Sequence, residues 1–391
     1  MADEAQKPLQ EAPEQVNPNS AQHAPATEIP NVESLTISDK PPAPAPTPAD
    51  GAAPASAPVN TEAIVLSAAE PATQSASTEE TKHEVPTSVS SGPEWPKLEE
   101  NHPILKLQAL IPELLKEADY NEVYGITLGK DDFYTKLILQ KFLRANANDI
   151  TKAKDQLLGT LKWRKEFNPL SAKDEVFSKK RFGGLGYITV LSGVPDSPNE
   201  KDVCTFNIYG AVKNNKTTFE DLNGFLRWRV GLMELGLAKL NLSTATQPIP
   251  DYGKGPDPYQ GIQVHDYLSV SFLRQDPVVK AASKKTIDTF QKYYPETLSR
   301  KFFVNVPVIM GWMFTAMKLV LSKETVKKFT VLSYGKDLAG ELGSSVPEIY
   351  GGKAGSLETV GETLGEQDDG PAGAHETAAT APDAQAKEVA V

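Results

Sequence analysis

The spacing of apolar residues divides the middle of the chain into a helical part and a mixed part. Apolar positions recur every three or four residues through "HPILKLQALIPELLKEA" (102–118), "DDFYTKLILQKFLRANAND" (131–149) and "DITKAKDQLLGTLKWRKEFNP" (149–169). Pro103 suits a first helical turn, Asp131, Asp132 and Asp149 suit helix starts, and Pro169 ends the third stretch. A small helical bundle is predicted there. Further on, short β-branched and aromatic runs predict strands: "GYITVLSG" (186–193), "VCTFNIYG" (203–210), "GIQVHDYLSVSF" (261–272), "KFFVNVPVI" (301–309) and "KFTVLSYG" (328–335). Helical patterns fall between them at 219–240 and 277–295, with an apolar helix in "MGWMFTAMKLVLS" (310–322) and a short one in "KETVKKF" (323–329). Strands alternating with helices predict an α/β domain with a mixed, largely parallel sheet.

The third strand poses a chemical question. His265 and Tyr267 stand two apart and so share one face of a strand, while Asp266 points to the other. A histidine and a phenol side by side are either hydrogen-bonded core residues or part of a site.

Composition bounds the folded part. Residues 1–92 hold no Phe, Trp or Tyr and are dense in Ala, Pro, Ser, Thr and Glu. Such a segment cannot bury enough apolar surface to offset its ordering entropy, so a disordered tail is expected. The stretch 354–391 reads the same way. The expected organisation is a tail over 1–92, a helical subdomain over 93–170, a ligand-binding domain over 171–353 and a second tail over 354–391. Thirteen acids and three bases give 1–92 a charge of −10, and eight acids and one base give 354–391 a charge of −7. The whole-chain value of −11 then leaves +6 for the middle. A basic domain between acidic tails suits an anionic surface, although the tails could also serve solubility alone.

Several chemistries are poorly supplied. One cysteine, Cys204, excludes an internal disulfide and a cysteine-based zinc site. Only His102 and His265 lie in the expected folded part. The glycines of "FGGLGY" precede a strand instead of joining a strand to a helix, so they are no nucleotide loop. No P-loop, G-x-S-x-G or H-E-x-x-H occurs. A binding protein is expected, not an enzyme. No apolar run follows Met1, and no stretch approaches the ~20 apolar residues of a membrane span. The expectation is a soluble intracellular protein with at most peripheral membrane contact.

Two strings carry a resemblance. "KFLRANANDITKAKDQLLGTLKWRKEFNP" and "FQKYYPETLSRKFFVNVPVIMGWMFTAMKLVLSKETVKKFTVL" resemble CRAL-TRIO (Sec-fourteen-like) lipid-transfer domains, over about 103–353. "RKEFNPLSAKDEV", "RWRVGLMELGL" and "QVHDY" look closest to a fungal, non-classical phosphatidylinositol transfer subgroup that also binds haem. The resemblance implies a helical bundle followed by a CRAL-TRIO domain whose apolar cavity is closed by a gate helix in "VPVIMGWMFTAMKLVL". It implies that Glu296, Thr325 and Lys328 meet an inositol phosphate headgroup. The lysine donates to phosphate and the carboxylate accepts from hydroxyls.

Ordinary members carry a Ser-x-Thr pair for phosphatidylcholine where this chain has His265 and Tyr267, which puts phosphatidylcholine binding in doubt. The resemblance instead implies ferric haem b, with Tyr267 as axial ligand and Tyr209, Arg229, His265 and Lys301 lining the pocket. A phenolate is a hard anion suited to ferric iron. A free phenol titrates near ~10, so a neighbouring cation or donor must favour the anion, with Arg229 and His265 as candidates. The reading is a phosphatidylinositol transfer protein that also holds haem and serves phosphoinositide homeostasis. It is expected to be a monomer without nucleic-acid partners, cytoplasmic and peripheral to endoplasmic reticulum or microsomal membranes. A haem-binding redox or stress protein without lipid transfer, and an interaction scaffold that uses its tails, are the competing readings.

Overall fold

The long helices begin where an aspartate can accept the free amides of a first turn. In the computed structural model, which describes residues 92–129, 131–270, 276–307 and 327–369, this holds four times. Asp132 caps Phe133–Ala145, Asp149 caps Ile150–Phe167, Asp221 caps Leu222–Leu240 and Asp276 caps Pro277–Tyr293. The first predicted helix is two, α1 (Pro103–Ala109) and α2 (Ile111–Ala118). Pro112 lacks an amide hydrogen and crowds the turn before it, so it opens a new helix and cannot continue the old one. A two-residue hairpin, β1 (Glu122–Val123) and β2 (Ile126–Thr127), leads to α3 (Phe133–Ala145) and α4 (Ile150–Phe167).

Next come α5 (Pro169–Ala172), β3 (Val176–Ser178), α6 (Lys179–Phe182), β4 (Gly186–Ser192), β5 (Lys201–Ile208), α7 (Asn215–Phe219) and α8 (Leu222–Leu240). They are followed by β6 (Gly261–Asp266), α9 (Pro277–Tyr293), β7 (Leu298–Val304), β8 (Phe329–Val331), α10 (Leu338–Leu342), α11 (Leu357–Val360) and β9 (Gly365–Gln367). The main sheet has the order β4-β5-β6-β7-β8, antiparallel at its first pair and parallel through the rest. The architecture is the mixed α/β fold read from the sequence. The expected gate helix falls almost entirely, and Thr325 wholly, outside the described residues.

The register gives the sheet two chemical faces. Cys204, Phe206, Ile262, Val264, Phe302 and Val304 point into a core completed by Leu338, Leu342, Val346 and Tyr350. On the other face two rows run across the strands. One is Thr205, Gln263, Lys301 and Phe329; the next is Asn207, His265, Phe303 and Val331. The helices at the start of the chain share a core with α8, through Leu226, Val230, Met233 and Leu237. An ion network crosses that core. Arg164, fully buried on α4, donates to Glu234 of α8 at 2.7 Å and to Glu122 at 2.9 Å. Tyr294 donates its hydroxyl to Glu234 at 2.6 Å.

The third strand stops earlier than its apolar run, at Asp266. The reason is Asp266 itself. Its Oδ1 accepts from the Leu268 amide at 2.8 Å and from Asn305 Nδ2 at 2.7 Å, and its Oδ2 accepts from the Tyr350 hydroxyl at 2.8 Å. The chain turns there, with Ser269 at φ 67°. The fourth strand also ends early, at Val304, because Asn305 takes φ 57° and its Oδ1 accepts from the Gly335 amide at 2.6 Å.

The boundary expected at 353 is wrong. Residues 354–369 fold back over the domain, with Leu357 and Leu364 buried and β9 paired in parallel with β3. Ile188 of β4 exchanges both backbone hydrogen bonds with Glu362, at 2.7 and 2.9 Å. Two isolated leucines in a polar, glycine-rich stretch carry no periodic signal, so composition alone reads as tail. The correction changes the electrostatics as well. The added segment brings five acids and no base, lowering the charge of the folded part from +6 to +1. Net charge therefore gives no argument for an anionic surface; local charge must carry it.

A chain ended after Lys353 is expected to be less stable than one ended after Asp369. Two buried leucines contribute about 1.5–3 kcal/mol each. Chemical denaturation of the two truncations measures it, and equal midpoints would mean that the segment is not docked in solution.

Candidate functional site

The face opposite the core collects the residues singled out on the strands. His265 is buried on β6, and Tyr267 follows it in extended backbone, its amide donating to Val304 O at 3.0 Å. Their rings lie 5.5 and 5.3 Å from that of Tyr209, which follows β5. Phe303 completes the group, 5.7 Å from His265 and 6.3 Å from Tyr267. The Lys301 ammonium sits over Phe303 and Phe329, at 5.3 and 5.8 Å from their centroids. Arg229, buried on α8, stacks over Phe290 at 5.2 Å. The five residues expected to line a haem pocket thus come together.

Their electrostatics follow from burial. The Lys301 pKa is pushed down to about 8, first by burial and then by the Arg229 charge. His265 is held well below its ordinary range by burial, Lys301 and Arg229, so it is neutral at pH 7. Its Nε2 lies 3.2 Å from Gln263 Oε1. Burial pushes both phenols up. The Arg229 charge opposes the shift at Tyr209, whereas the neighbour felt at Tyr267 is Tyr209. In the ligand-free fold α8 brings the guanidinium charge to Tyr209.

Two buried polar atoms lack a partner here. Arg229 Nη1 and Asn207 Oδ1 make no hydrogen bond among the described residues, and both line a small cavity with Tyr209, Trp228 and Phe225. Lys301 and Arg229 have no carboxylate partner among the described residues, in contrast to Arg164, which has two. A cation out of water without a counter-charge is costly, and an anionic group in this space would offset that cost.

A second cluster lies where β7 begins. Glu296 takes φ 52°, and its Oε2 accepts from Gln260 Nε2 at 2.8 Å. Arg144 Nε lies 3.5 Å from the same oxygen, and Lys328 Nζ lies 3.9 Å from Oε1. Lys328 also donates to Leu298 O at 2.9 Å. The expected headgroup residues Glu296 and Lys328 are thus neighbours. The two clusters meet through the backbone, where the Lys301 amide donates to Lys328 O at 2.6 Å. Arg144 and Gln260 were not singled out from the sequence. A signal was present at Arg144: with Gln140 and Lys141 it interrupts an otherwise apolar helix, and such residues are seldom buried without a partner.

Among the described residues no group of three or more metal-ligating side chains occurs, and no helix is long and apolar enough to cross a membrane.

Comparison with known proteins agrees with the fold. Residues 197–352 match the CRAL/TRIO domain and residues 103–159 the CRAL/TRIO N-terminal domain. A protein of Phaeosphaeria nodorum named "Phosphatidylinositol transfer protein SFH5" is 65% identical over 276 residues, covering 70% of this chain and 83% of its own. One of the same name from Sclerotinia sclerotiorum is 52% identical over 269 residues, covering 67% of this chain and 64% of its own. The solved structure "Crystal structure of Sfh5" superposes with a TM-score of 0.58 at 32% identity, covering 68% of this chain and 93% of that one. With both parts of the fold matched and relatives this similar, the chain belongs to the CRAL/TRIO family of lipid-transfer proteins.

Proposed function

We propose that this chain binds and transfers phosphatidylinositol, and that the same face of its sheet can hold ferric haem b. The observation that carries the reading is the pair of cations, Arg229 and Lys301, set on the aromatic ligand face without a carboxylate partner among the described residues. A site of this kind takes a ligand that is apolar in bulk and anionic at one edge. A phospholipid and a haem both meet that description. The names of the relatives favour the lipid, and Glu296 with Lys328 and Arg144 offers acceptors for hydroxyls beside donors for phosphate.

The residues present also fit haem. Tyr267 supplies an oxygen ligand among rings, and Lys301 and Arg229 supply donors for carboxylates. When bound, ferric haem supplies a redox-active iron. The chain's own part is to release the Tyr267 proton, which burial otherwise retains, and to keep His265 neutral beside it. Haem and lipid then compete for one space.

Lys328→Ala is expected to lower phosphatidylinositol transfer between vesicles about tenfold or more, since a charged hydrogen bond is worth roughly 1.5–3 kcal/mol. Folding stability should change by less than about 1 kcal/mol, because the lysine is part exposed. Unchanged transfer would place the headgroup elsewhere.

Tyr267→Phe keeps the ring and removes the only group there able to ligate iron. Purified from haem-supplemented cells, this variant should lose most of its haem and its visible absorption. Tyr209→Phe should retain haem with a shifted Soret band, as should His265→Ala. Retention by the first with loss from either of the others would reassign the ligand.

The Lys301 titration predicts opposite pH trends for binding and for folding. Its folded pKa of about 8 lies below the ordinary 10.5. Affinity for an anionic ligand should fall as pH rises through 8, because the charged form is lost. The unfolded chain keeps its proton up to 10.5, so the stability of the ligand-free protein should rise from pH 8 to 10.5. Lys301→Met should flatten both profiles in ligand titrations and denaturant midpoints at pH 7 and 9.5. Profiles that match the parent would exclude Lys301.

A further inference from the structure

Lys141 is a lysine with almost no exposed surface, carried by α3 in the N-terminal half of the fold. Its ammonium meets three acceptors: Asp257 Oδ2 at 2.6 Å, Tyr259 O at 2.8 Å and Glu296 O at 3.0 Å. Three donors are thus matched by three acceptors. Asp257 is fully buried too and spends its other oxygen on the Tyr259 amide at 2.8 Å. A buried ion pair adds little net stability over apolar packing of the same volume. It does supply direction, and here the direction ends on the backbone of Glu296.

Glu296 needs that support. It holds a left-handed backbone without being glycine, a conformation that persists only where the surroundings over-determine it. Gln260, buried beside it, donates to its carbonyl at 3.3 Å and to its Oε2 at 2.8 Å. Two donors hold the carbonyl, while the carboxylate has one oxygen engaged. Oε1 makes no hydrogen bond among the described residues; Lys328 Nζ lies 3.9 Å from it. A free acceptor next to Arg144 and Lys328 suits a hydroxyl beside a phosphate, and a choline headgroup has no such hydroxyl to donate.

We propose that Lys141, with Gln260, is a positioning residue that fixes Glu296 so that Oε1 selects polyol headgroups over choline. This rests on the reading of Glu296 as a headgroup acceptor given above. Lys141 acts from α3 without touching the lipid, so selectivity is set partly outside the sheet domain.

The test uses the full chain and vesicles of equal parts phosphatidylinositol and phosphatidylcholine, with captured lipid counted by mass. Glu296→Gln sets the reference and should lower the captured ratio about tenfold, one charged hydrogen bond being lost. Lys141→Met combined with Asp257→Asn removes the cradle without leaving a buried charge unpaired. It should lower the ratio about three- to tenfold with phosphatidylcholine capture unchanged. Gln260→Met should do the same, and it keeps the proposal testable if the double variant does not fold. Added to Glu296→Gln, neither change should lower the ratio further. A merely structural role would reduce both lipids together and leave the ratio intact, which overturns the proposal. So would an additive loss on top of Glu296→Gln. A parent protein that captures both lipids equally would overturn the reading of Glu296 and this inference with it. A selective parent whose cradle variants match it would overturn the inference alone.

Discussion

The Asp266 carboxylate sits out of water at the end of β6, and three donors from separate segments converge on it: the Leu268 amide, the Asn305 side chain and the Tyr350 hydroxyl. The exits of β6 and β7 and the segment after α10 are tied at one point. Because side chains alternate along a strand, fixing Asp266 on the core side commits His265 and Tyr267 to the opposite face. The unusual His-Asp-Tyr triplet is therefore one arrangement, with the middle residue holding the frame in which its neighbours join the aromatic cluster. A slip of one residue would bury the phenol in the back core and turn the carboxylate to the aromatic face.

Buried and half-buried charge sorts into two kinds in this fold. Arg164 and Lys141 are surrounded by acceptors at hydrogen-bond distance, and both join the N-terminal helices to the rest of the domain. Arg229 and Lys301 rest on aromatic faces, and Arg229 keeps a buried nitrogen without a partner. The first kind is complete as folded. The second leaves an electrostatic demand that a ligand can meet, and that contrast separates the site from the scaffold more sharply than burial alone.

Much of the fold was legible in the sequence because its elements are strongly periodic: the long helices α3, α4, α8 and α9, and the five strands of the main sheet, follow their apolar spacing. Where reading and structure part, a specific polar or backbone event decides. Pro112 splits the first helix, and Asp266 and Asn305 end strands whose apolar runs continue. The strap over 354–369 was missed because it depends on two leucines and a three-residue strand. At the site, Glu296 and Lys328 could be reached through resemblance. The approach of the Arg229 charge to Tyr209 could not, since it depends on which turn of α8 crosses β5. Gln260 and Lys141 are long-range partners, 36 and 155 residues from Glu296 in the chain, and spacing carries no trace of them.

The backbone exchange between Ile188 and Glu362 bears on how molecules of this kind meet one another. β4 is an edge of the main sheet, and its unpaired amides and carbonyls could template a strand from another copy. Val190, two residues on, already presents an apolar side chain to solvent. Glu362 occupies the edge at its middle and brings a negative charge, paired with Lys239, to the place where a foreign strand would start. The family match ends at residue 352, so this cover follows the matched part of the chain. Protection of the sheet edge thus rests on a segment that follows the matched domain in the chain, apart from the strands that carry the aromatic cluster.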